Sequence, residues 1–391
     1  SGILQTQNGS ATPISSGKTW GGTVQYSSTT GGQTIANGIY NNLTLNNSSN
    51  TNTTNGNIAV SGTLTTTTGG TLNMGSSTLS AGSYTNNGTI QFGGASNGVP
   101  ISSGTIEYTS LTGGQLIESG TYNNLILSNT SGINTAGGNL TVNGTLTTTI
   151  GGKLSMGNLV LSANSYIHNG SIQFTGFLNG VAISTGTIEY NGANQIVTSG
   201  TYNNLTLSGS AIKTISADTV NGILSLQGTA TVSTAPTYGV SSSLEYAGSA
   251  AQTTGPELLA TMIQPVTINN TNGVNLNAAT TLNNSGLAFT NGNLFLGANN
   301  LTLSGTTSVF GAAAGKCIVT NGAGGVVQSV ALTSVVYPVG PNATTYNPVT
   351  LTGTGAHVTD NFTVSVADTN NPSTDNDNIA VKRTWKISEQ V

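Results

Sequence analysis

One four-residue phrase returns twice at a fixed distance, and that recurrence restricts the fold more than any other feature of the chain. Thr23-Val24-Gln25-Tyr26 comes back as Thr105-Ile106-Glu107-Tyr108 and again as Thr187-Ile188-Glu189-Tyr190, with the same step between copies each time. Tyr40-Asn41-Asn42-Leu43 likewise recurs as Tyr122-Asn123-Asn124-Leu125 and, in a shortened third copy, as Tyr202-Asn203-Asn204-Leu205. Gly62-Thr63-Leu64 matches Gly144-Thr145-Leu146, and Met74 matches Met156. After Asn221-Gly222 the third copy decays. Apolar positions held in register over such a distance mark a repeat architecture, not low-complexity disorder.

Inside each copy the local period is two. In Asn42-Leu43-Thr44-Leu45 and Thr89-Ile90-Gln91-Phe92, apolar residues alternate with small polar ones, as in a strand with one buried and one wet face. Gly-Gly, Asn-Gly and Ser-Gly pairs bound these short segments, and Gly, Asn, Thr and Ser are poor helix formers. A tandem of sandwiches and a stacked solenoid both accept many short strands. The inexact long repeat and the Asn-rich corners favour the solenoid, because Asn and Gly tolerate left-handed backbone angles. With roughly 20 residues per coil, one repeat makes about four coils, or roughly 19 Å. Residues 20–305 then predict a rod roughly 65–70 Å long.

Composition narrows the function. Of 391 residues only 18 are charged, 7 basic and 11 acidic, where an ordinary domain has about 25%. Seven basic residues at a net charge of −4 cannot neutralise a phosphate backbone, which argues against a nucleic-acid partner. No apolar run is long enough to span a bilayer, which argues against membrane insertion. Cys317 is the single cysteine, so no intramolecular disulfide forms, and it reads as a small buried apolar residue. The opening at Ser1, without Met or an apolar leader, suits a mature product or an excised segment.

Texture changes near Thr306. Longer apolar runs appear, Cys317 to Thr320, Val326 to Leu332, Val335 to Val339, Val349 to Thr352, Phe362 to Val366 and Ile379 to Ile387, with prolines among them. The expected fold is therefore all-β: a right-handed parallel β-helix (β-solenoid) followed by a small antiparallel β-sandwich-like C-terminal module. Its divisions are 1–20 as an N-terminal cap or strand, 21–305 as the solenoid (copies at about 23–104, 105–186 and a decaying 187–265), and 306–391 as the terminal, incomplete module.

The phrases GTIEYNGANQIVTSGTYNNLTLSG (186–209), GNLTVNGTLTTTIGGKLSMGNLVLS (138–162), KCIVTNGAGGVVQSVA (316–331) and YPVGPNATTYNPVTLT (337–352), with the closing VKRTWKIS (381–388), resemble repeats in large secreted or cell-surface proteins of Bacteroidota. Those are similar to β-helical adhesins and are commonly exported by the type IX route. The resemblance implies an extracellular or bacterial cell-surface location and this architecture, not an activity. No type IX sorting domain follows VKRTWKISEQV.

Candidate chemistry is sparse. Glu107, Glu189 and Glu245 share the outward slot of one strand type, but the first two lie about four coils apart, too far for the paired carboxylates of a glycosidase. His168 and His357 have no ligand or triad partner at a useful spacing. Asp368, Asp375 and Asp377 form the calcium candidate, oxygen-rich but without an EF-hand pattern; otherwise no cofactor is expected. The repeated tyrosines alternate in phase with Ile106 and Ile188, which points them inward rather than towards a glycan. Thr219, within Asp218-Thr219-Val220, resembles the Bacteroidota O-glycosylation acceptor. Thr63–Thr68 raises ice binding, but such runs recur only once per copy of the repeat. The expected role is a non-enzymatic structural or adhesive rod whose partner is itself, assembled head to tail by strand complementation. Ile3, Leu4, Lys382, Arg383, Trp385 and Ile387 are the assembly candidates. A glycan-binding surface module is the alternative, and a polysaccharide-active β-helix enzyme ranks below it.

Overall fold

The computed structural model describes residues 2–8, 13–355, 359–369 and 383–390, in two units, 1–189 and 190–391. Every regular element among them is a strand, and parallel sheets make about 17 solenoid turns across the two units. The inferred all-β solenoid with an antiparallel C-terminal sheet is therefore what the chain adopts.

In the first unit the strands Ile3–Thr6, Lys18–Tyr26, Gly38–Leu45, Ile58–Thr66 and Leu79–Asn86 form one parallel sheet. Burial alternates along each strand as the period-two pattern requires: Val24, Tyr26, Leu43, Leu45 and Leu64 are buried, while Gln25, Thr44 and Thr65 face outward. The long strands bend where the register slips, between Tyr40 and Leu43 and again between Val60 and Thr63. Such a bulge lets one strand line two faces of the coil.

The long repeat is not a whole number of turns. Thr23–Tyr26 belongs to the sheet just described, but its counterpart Thr105–Tyr108 pairs in register with Thr89–Phe92, in a different, nine-stranded sheet. That pairing joins positions only 16 residues apart, as for Gln91 and Glu107, whereas Thr63 and Ser83 on adjacent turns are 20 apart. The short turn is pinned by Asn97, whose Nδ2 donates to the carbonyls of Gly75 and Ser77 at 2.9 and 2.7 Å. The next counterpart, Thr187–Tyr190, neighbours Ser171–Phe174 in a third sheet. Each copy thus starts one face further round the coil. Glu107 and Glu189 therefore lie on different faces, which corrects the expectation that whole coils separate them in one slot.

In the second unit Asn204–Leu207, Ile223–Leu226, Ser243–Tyr246, Val266–Asn269, Gly286–Asn291 and Ser308–Phe310 continue parallel pairing. Leu294–Phe295, Ile318–Val319 and Val339–Gly340 line another face. Parallel pairing also joins Leu301–Ser304 to Val326–Val330, so the change of texture read near Thr306 is not where the solenoid stops. Only at Val326–Val330 does an antiparallel strand, Asp360–Ala367, take over, followed by antiparallel Thr384–Gln390. The longer apolar runs have another cause. Val326, Val327 and Val330 are all buried, because the antiparallel pair Val335–Tyr337 and Val349–Leu351 lies close by. The Tyr337 hydroxyl donates to the Gln328 carbonyl at 3.1 Å, and Gln328 Nε2 donates to the Val336 carbonyl at 2.9 Å.

Candidate functional site

The polar groups that recur with the repeat do not converge on a pocket; they join one turn to the next. Asn42 accepts at Oδ1 from the backbone N–H of Thr63 on the following turn, at 2.9 Å. Asn124 does the same for Thr145, and Asn204 for Ile223, each at 2.9 Å. A glycine precedes each donor because a Cβ at Gly62, Gly144 or Gly222 would meet the Asn Oδ1 at 2.4 Å. The second Asn of the Tyr-Asn-Asn-Leu phrase and the glycine one turn later are thus one device, and it satisfies the N–H that the bulge frees.

The tyrosines are the second joint. Tyr26, Tyr40, Tyr108, Tyr122, Tyr190 and Tyr202 are wholly buried, as their alternation predicts, so none offers a stacking platform. Tyr122 donates to the Glu118 carbonyl at 2.6 Å, the Glu118 N–H donates to Tyr108 at 3.1 Å, and the two hydroxyls are 3.2 Å apart. Tyr190, Thr198 and Tyr202 repeat the arrangement, with hydroxyls 3.0 Å apart. Burial pushes the Tyr40, Tyr122 and Tyr202 hydroxyls far above the usual phenol range. Tyr26, Ala36 and Tyr40 form the first-copy version, and a fourth instance changes chemistry: Tyr246 donates to Oε1 of the buried Glu257 at 2.7 Å, and Gly255 N–H donates to the same oxygen at 2.7 Å.

The outward carboxylates are rungs of neutral ladders rather than fully solvated groups. Glu107 accepts from Gln91 Nε2 at 2.9 Å on one side and from the Ser128 hydroxyl on the other. Glu189 accepts from Gln173. Glu245 sits between the Ser225 hydroxyl and Asn269 Nδ2, each at 3.0 Å. The hydroxyl-rich strands also stack more closely than the repeat suggests. Thr63 and Thr65 lie beside Ser83 and Thr85, and Thr44 beside Thr65. The Thr-x-Thr run itself still recurs only once per copy, since the neighbouring turns offer Asn42-Leu43-Thr44 and Ser83-Tyr84-Thr85 in its place. The array is mixed, with Asn42 turned onto backbone and Thr63 bonded to Ser83 at 2.7 Å.

Two buried ionisable groups occupy repeat positions that hold Asn elsewhere. His168 stands where the first copy has Asn86. Its Nδ1 accepts from the Thr148 hydroxyl at 2.7 Å, and its Nε2–H donates to the Thr187 carbonyl at 3.0 Å. Thr148 Oγ1 also receives the N–H groups of Asn169 and Gly170, which fixes the neutral tautomer. Burial holds the His168 pKa below the usual value. Lys213 stands where the earlier copies have Asn52 and Asn134. Its Nζ donates to the carbonyls of Gly192 and Ala193 and to Gln195 Oε1, at 2.6, 2.7 and 2.9 Å, and burial pushes it down to about 8.

The other singled-out residues are dispersed. Asp368 pairs with Arg383 and accepts from Asn342, which occupies the carboxylate that calcium would need. Asp375, Asp377, Lys382 and His357 lie outside the described residues. Among those described, no three His, Cys, Asp or Glu side chains are placed to hold a metal, and no helix is long and apolar enough to cross a membrane. Cys317 is buried, and burial raises its thiol to about 11. Thr219 is half-buried in Thr219–Val220, between Thr201 and Thr237 on adjacent turns. Its neighbour Asp218 is buried and accepts from the Gly200 and Ser216 N–H groups.

Ile3 and Leu4 are exposed on a strand already paired with Lys18–Tyr26. Trp385 and Ile387 are exposed on a strand already paired with Asp360–Ala367. Neither candidate donor strand is free; among the described residues each is the outermost strand of its own sheet. Alternation alone locates the tyrosines, but the Asn–Gly couple and Lys213 need the register, although the three-copy alignment of Asn42 with Gly62 was available as a signal. Comparison with family models, with curated proteins and with solved structures finds no match for this chain, so function is read from the geometry alone.

Proposed function

We propose that this chain is a non-catalytic structural or adhesive element of a bacterial surface, exported to the outside of the cell. Copies of it join end to end through the outer edges of their terminal strands. The observation that carries the reading is the use of polar side chains: Asn–Gly couples, tyrosine pairs and outward ladders all tie one turn to the next. A stiff, neutral solenoid is what such joints build, and stiffness with little charge suits a spacer or adhesive rod. Among the described residues Ile3–Thr6 and Thr384–Gln390 each pair on one side only, which makes their outer edges natural templates for another strand, and their exposed Ile3 and Trp385 are apolar.

Electron microscopy of the purified chain tests this. Fibres are expected from the native sequence, and Ile3→Lys with Trp385→Lys, which place charges on exposed edge positions, should leave single particles. Single particles from the native chain, or fibres unchanged in the double variant, would overturn the end-to-end arrangement.

A further inference from the structure

Asn-Gly recurs at the corners of this chain, from Asn37-Gly38 to Asn321-Gly322, and it is among the dipeptides most prone to lose ammonia. No side chain shields the glycine nitrogen, so it can attack the asparagine Cγ. A new N–C bond closes a five-membered succinimide, the Cγ–Nδ2 bond breaks, and the amide nitrogen leaves as ammonia. Water then opens the ring at either carbonyl. The product is aspartate or isoaspartate, and in the latter the backbone runs through the former side chain. Attack needs a glycine N–H released from its hydrogen bond and an asparagine side chain free to swing over it.

The solenoid withholds one or the other at corner after corner. The Gly144 and Gly222 N–H groups donate to the Asn123 and Asn203 carbonyls of the preceding turn, each at 2.7 Å. Gly38 donates to the Asn57 carbonyl at 3.1 Å. Gly88 and Gly170 donate to the hydroxyls of Thr66 and Thr148, each at 3.2 Å. Elsewhere the asparagine itself is held. Asn97 is buried, with its Nδ2 shared between two carbonyls. Asn291 donates from Nδ2 to Asn269 Oδ1 at 2.8 Å, while its own carbonyl accepts from the Asn270 N–H.

Asn321-Gly322 has neither restraint. Asn321, Gly322 and Ala323 are all exposed, in the turn that carries Ile318–Val319 into Val326–Val330. Among the described residues neither the Gly322 N–H nor Asn321 Nδ2 finds an acceptor. The Asn321 side chain only accepts, at Oδ1, from the Gly297 N–H at 3.2 Å.

We propose that Asn321 is a modification site: in the folded protein it deamidates through a succinimide formed with Gly322, while bonds between turns keep corners such as Asn143 and Asn221 as asparagine. The location limits the damage. A new carboxylate within a stacked ladder would face the side chains of adjacent turns at strand spacing, whereas at this exposed turn the added charge meets water. Aspartate keeps an acceptor for the Gly297 N–H. Isoaspartate lengthens the backbone by one methylene and loosens the turn leading into Val326–Val330, the strand on which antiparallel Asp360–Ala367 pairs. The chain therefore ages first at one turn rather than along its length.

Peptide mapping by mass spectrometry of the full chain, incubated folded and in urea at mildly alkaline pH, tests this. In the folded chain the Asn321 peptide should gain the acid-for-amide mass difference at least about tenfold faster than the Asn143 and Asn221 peptides. A local opening cost of ~1.4 kcal/mol supplies that factor. In urea the three rates should converge. Asn321→Gln, whose longer side chain closes a ring far more slowly, should remove the early acidic species seen on ion exchange. A folded chain in which Asn143 or Asn221 converts as fast as Asn321, or a preference for Asn321 that survives in urea, would overturn the proposal.

Discussion

Phe92 lies against Tyr108 on the next turn, ring centroids 6.2 Å apart and planes tilted by 43°, although the two rings occupy different places in the repeat. Gln91 and Glu107 bond beside them for the same reason. The junction between copies is therefore a heterologous joint, built from the end of one phrase and the beginning of the next. This is why the Ile-Gln-Phe and Ile-Glu-Tyr phrases alternate the same way: each must fit the other's face, not only its own kind.

The Asn–Gly couple should behave as one unit in unfolding experiments. Gly144→Ala places a Cβ 2.4 Å from Asn124 Oδ1 and 2.8 Å from the Asn123 carbonyl, so it should cost about 1–3 kcal/mol as an overpacked site. Asn124→Ala leaves the Thr145 N–H without its acceptor and should cost about 1–3 kcal/mol. Denaturant titration of the double variant should show less than the summed loss, since removing the Asn relieves one of the two clashes.

How much of this was legible depended on whether a feature is local. The inward tyrosines follow from Ile106 and Tyr108 sharing a parity, which any short stretch reveals. The face on which Thr105–Tyr108 lies does not, because the period of the repeat leaves the length of a turn open, and the short turn comes from Asn97 bonding to Gly75 and Ser77. The end of the solenoid was hidden by a similar ambiguity. Val326 to Leu332 reads as a strand buried on both faces, and whether a second sheet or a folded-back pair of strands covers it is a matter of tertiary contact. Lys213 was invisible as a buried group because lysine in a polar, period-two segment ordinarily points to water.

His168 should make stability sensitive to mild acid. Its folded pKa is depressed below the unfolded value of 6.5, so the unfolded chain takes up the proton first. The contribution is complete above pH 6.5 and is lost as pH falls towards the folded value. His168→Asn, the first-copy residue, should flatten the profile of melting temperature between pH 7 and 5, roughly the range over which an ordinary histidine titrates. An unchanged profile would show that His168 remains paired when protonated.

Lys213 acts in an alkaline window. Its folded pKa is about 8 against 10.5 unfolded, so the folded state releases the proton first, and stability rises with pH between those values. Below about 8 both states are protonated and the gain is absent. Lys213→Asn should remove that rise, measured by urea unfolding up to about pH 9.5, before ordinary tyrosines begin to ionise. A native chain whose stability is flat from pH 7 to about 9.5 would show that the three carbonyl acceptors hold the ammonium charged throughout.

The advance of one face per copy is the feature on which the ladders, the buried joints and the placement of the glutamates all rest, and a disulfide reads it directly. Gln91→Cys with Glu107→Cys places two outward thiols on paired residues of adjacent parallel strands, within the Cα separation of roughly 4.4–6.8 Å that a disulfide spans, while Cys317 stays buried. Oxidation should give an intramolecular crosslink between the peptides carrying these two positions, with little from Thr85→Cys with Glu107→Cys. Crosslinking of the second pair in place of the first would mean that each copy stacks on its own equivalent after whole turns, and would contradict the account.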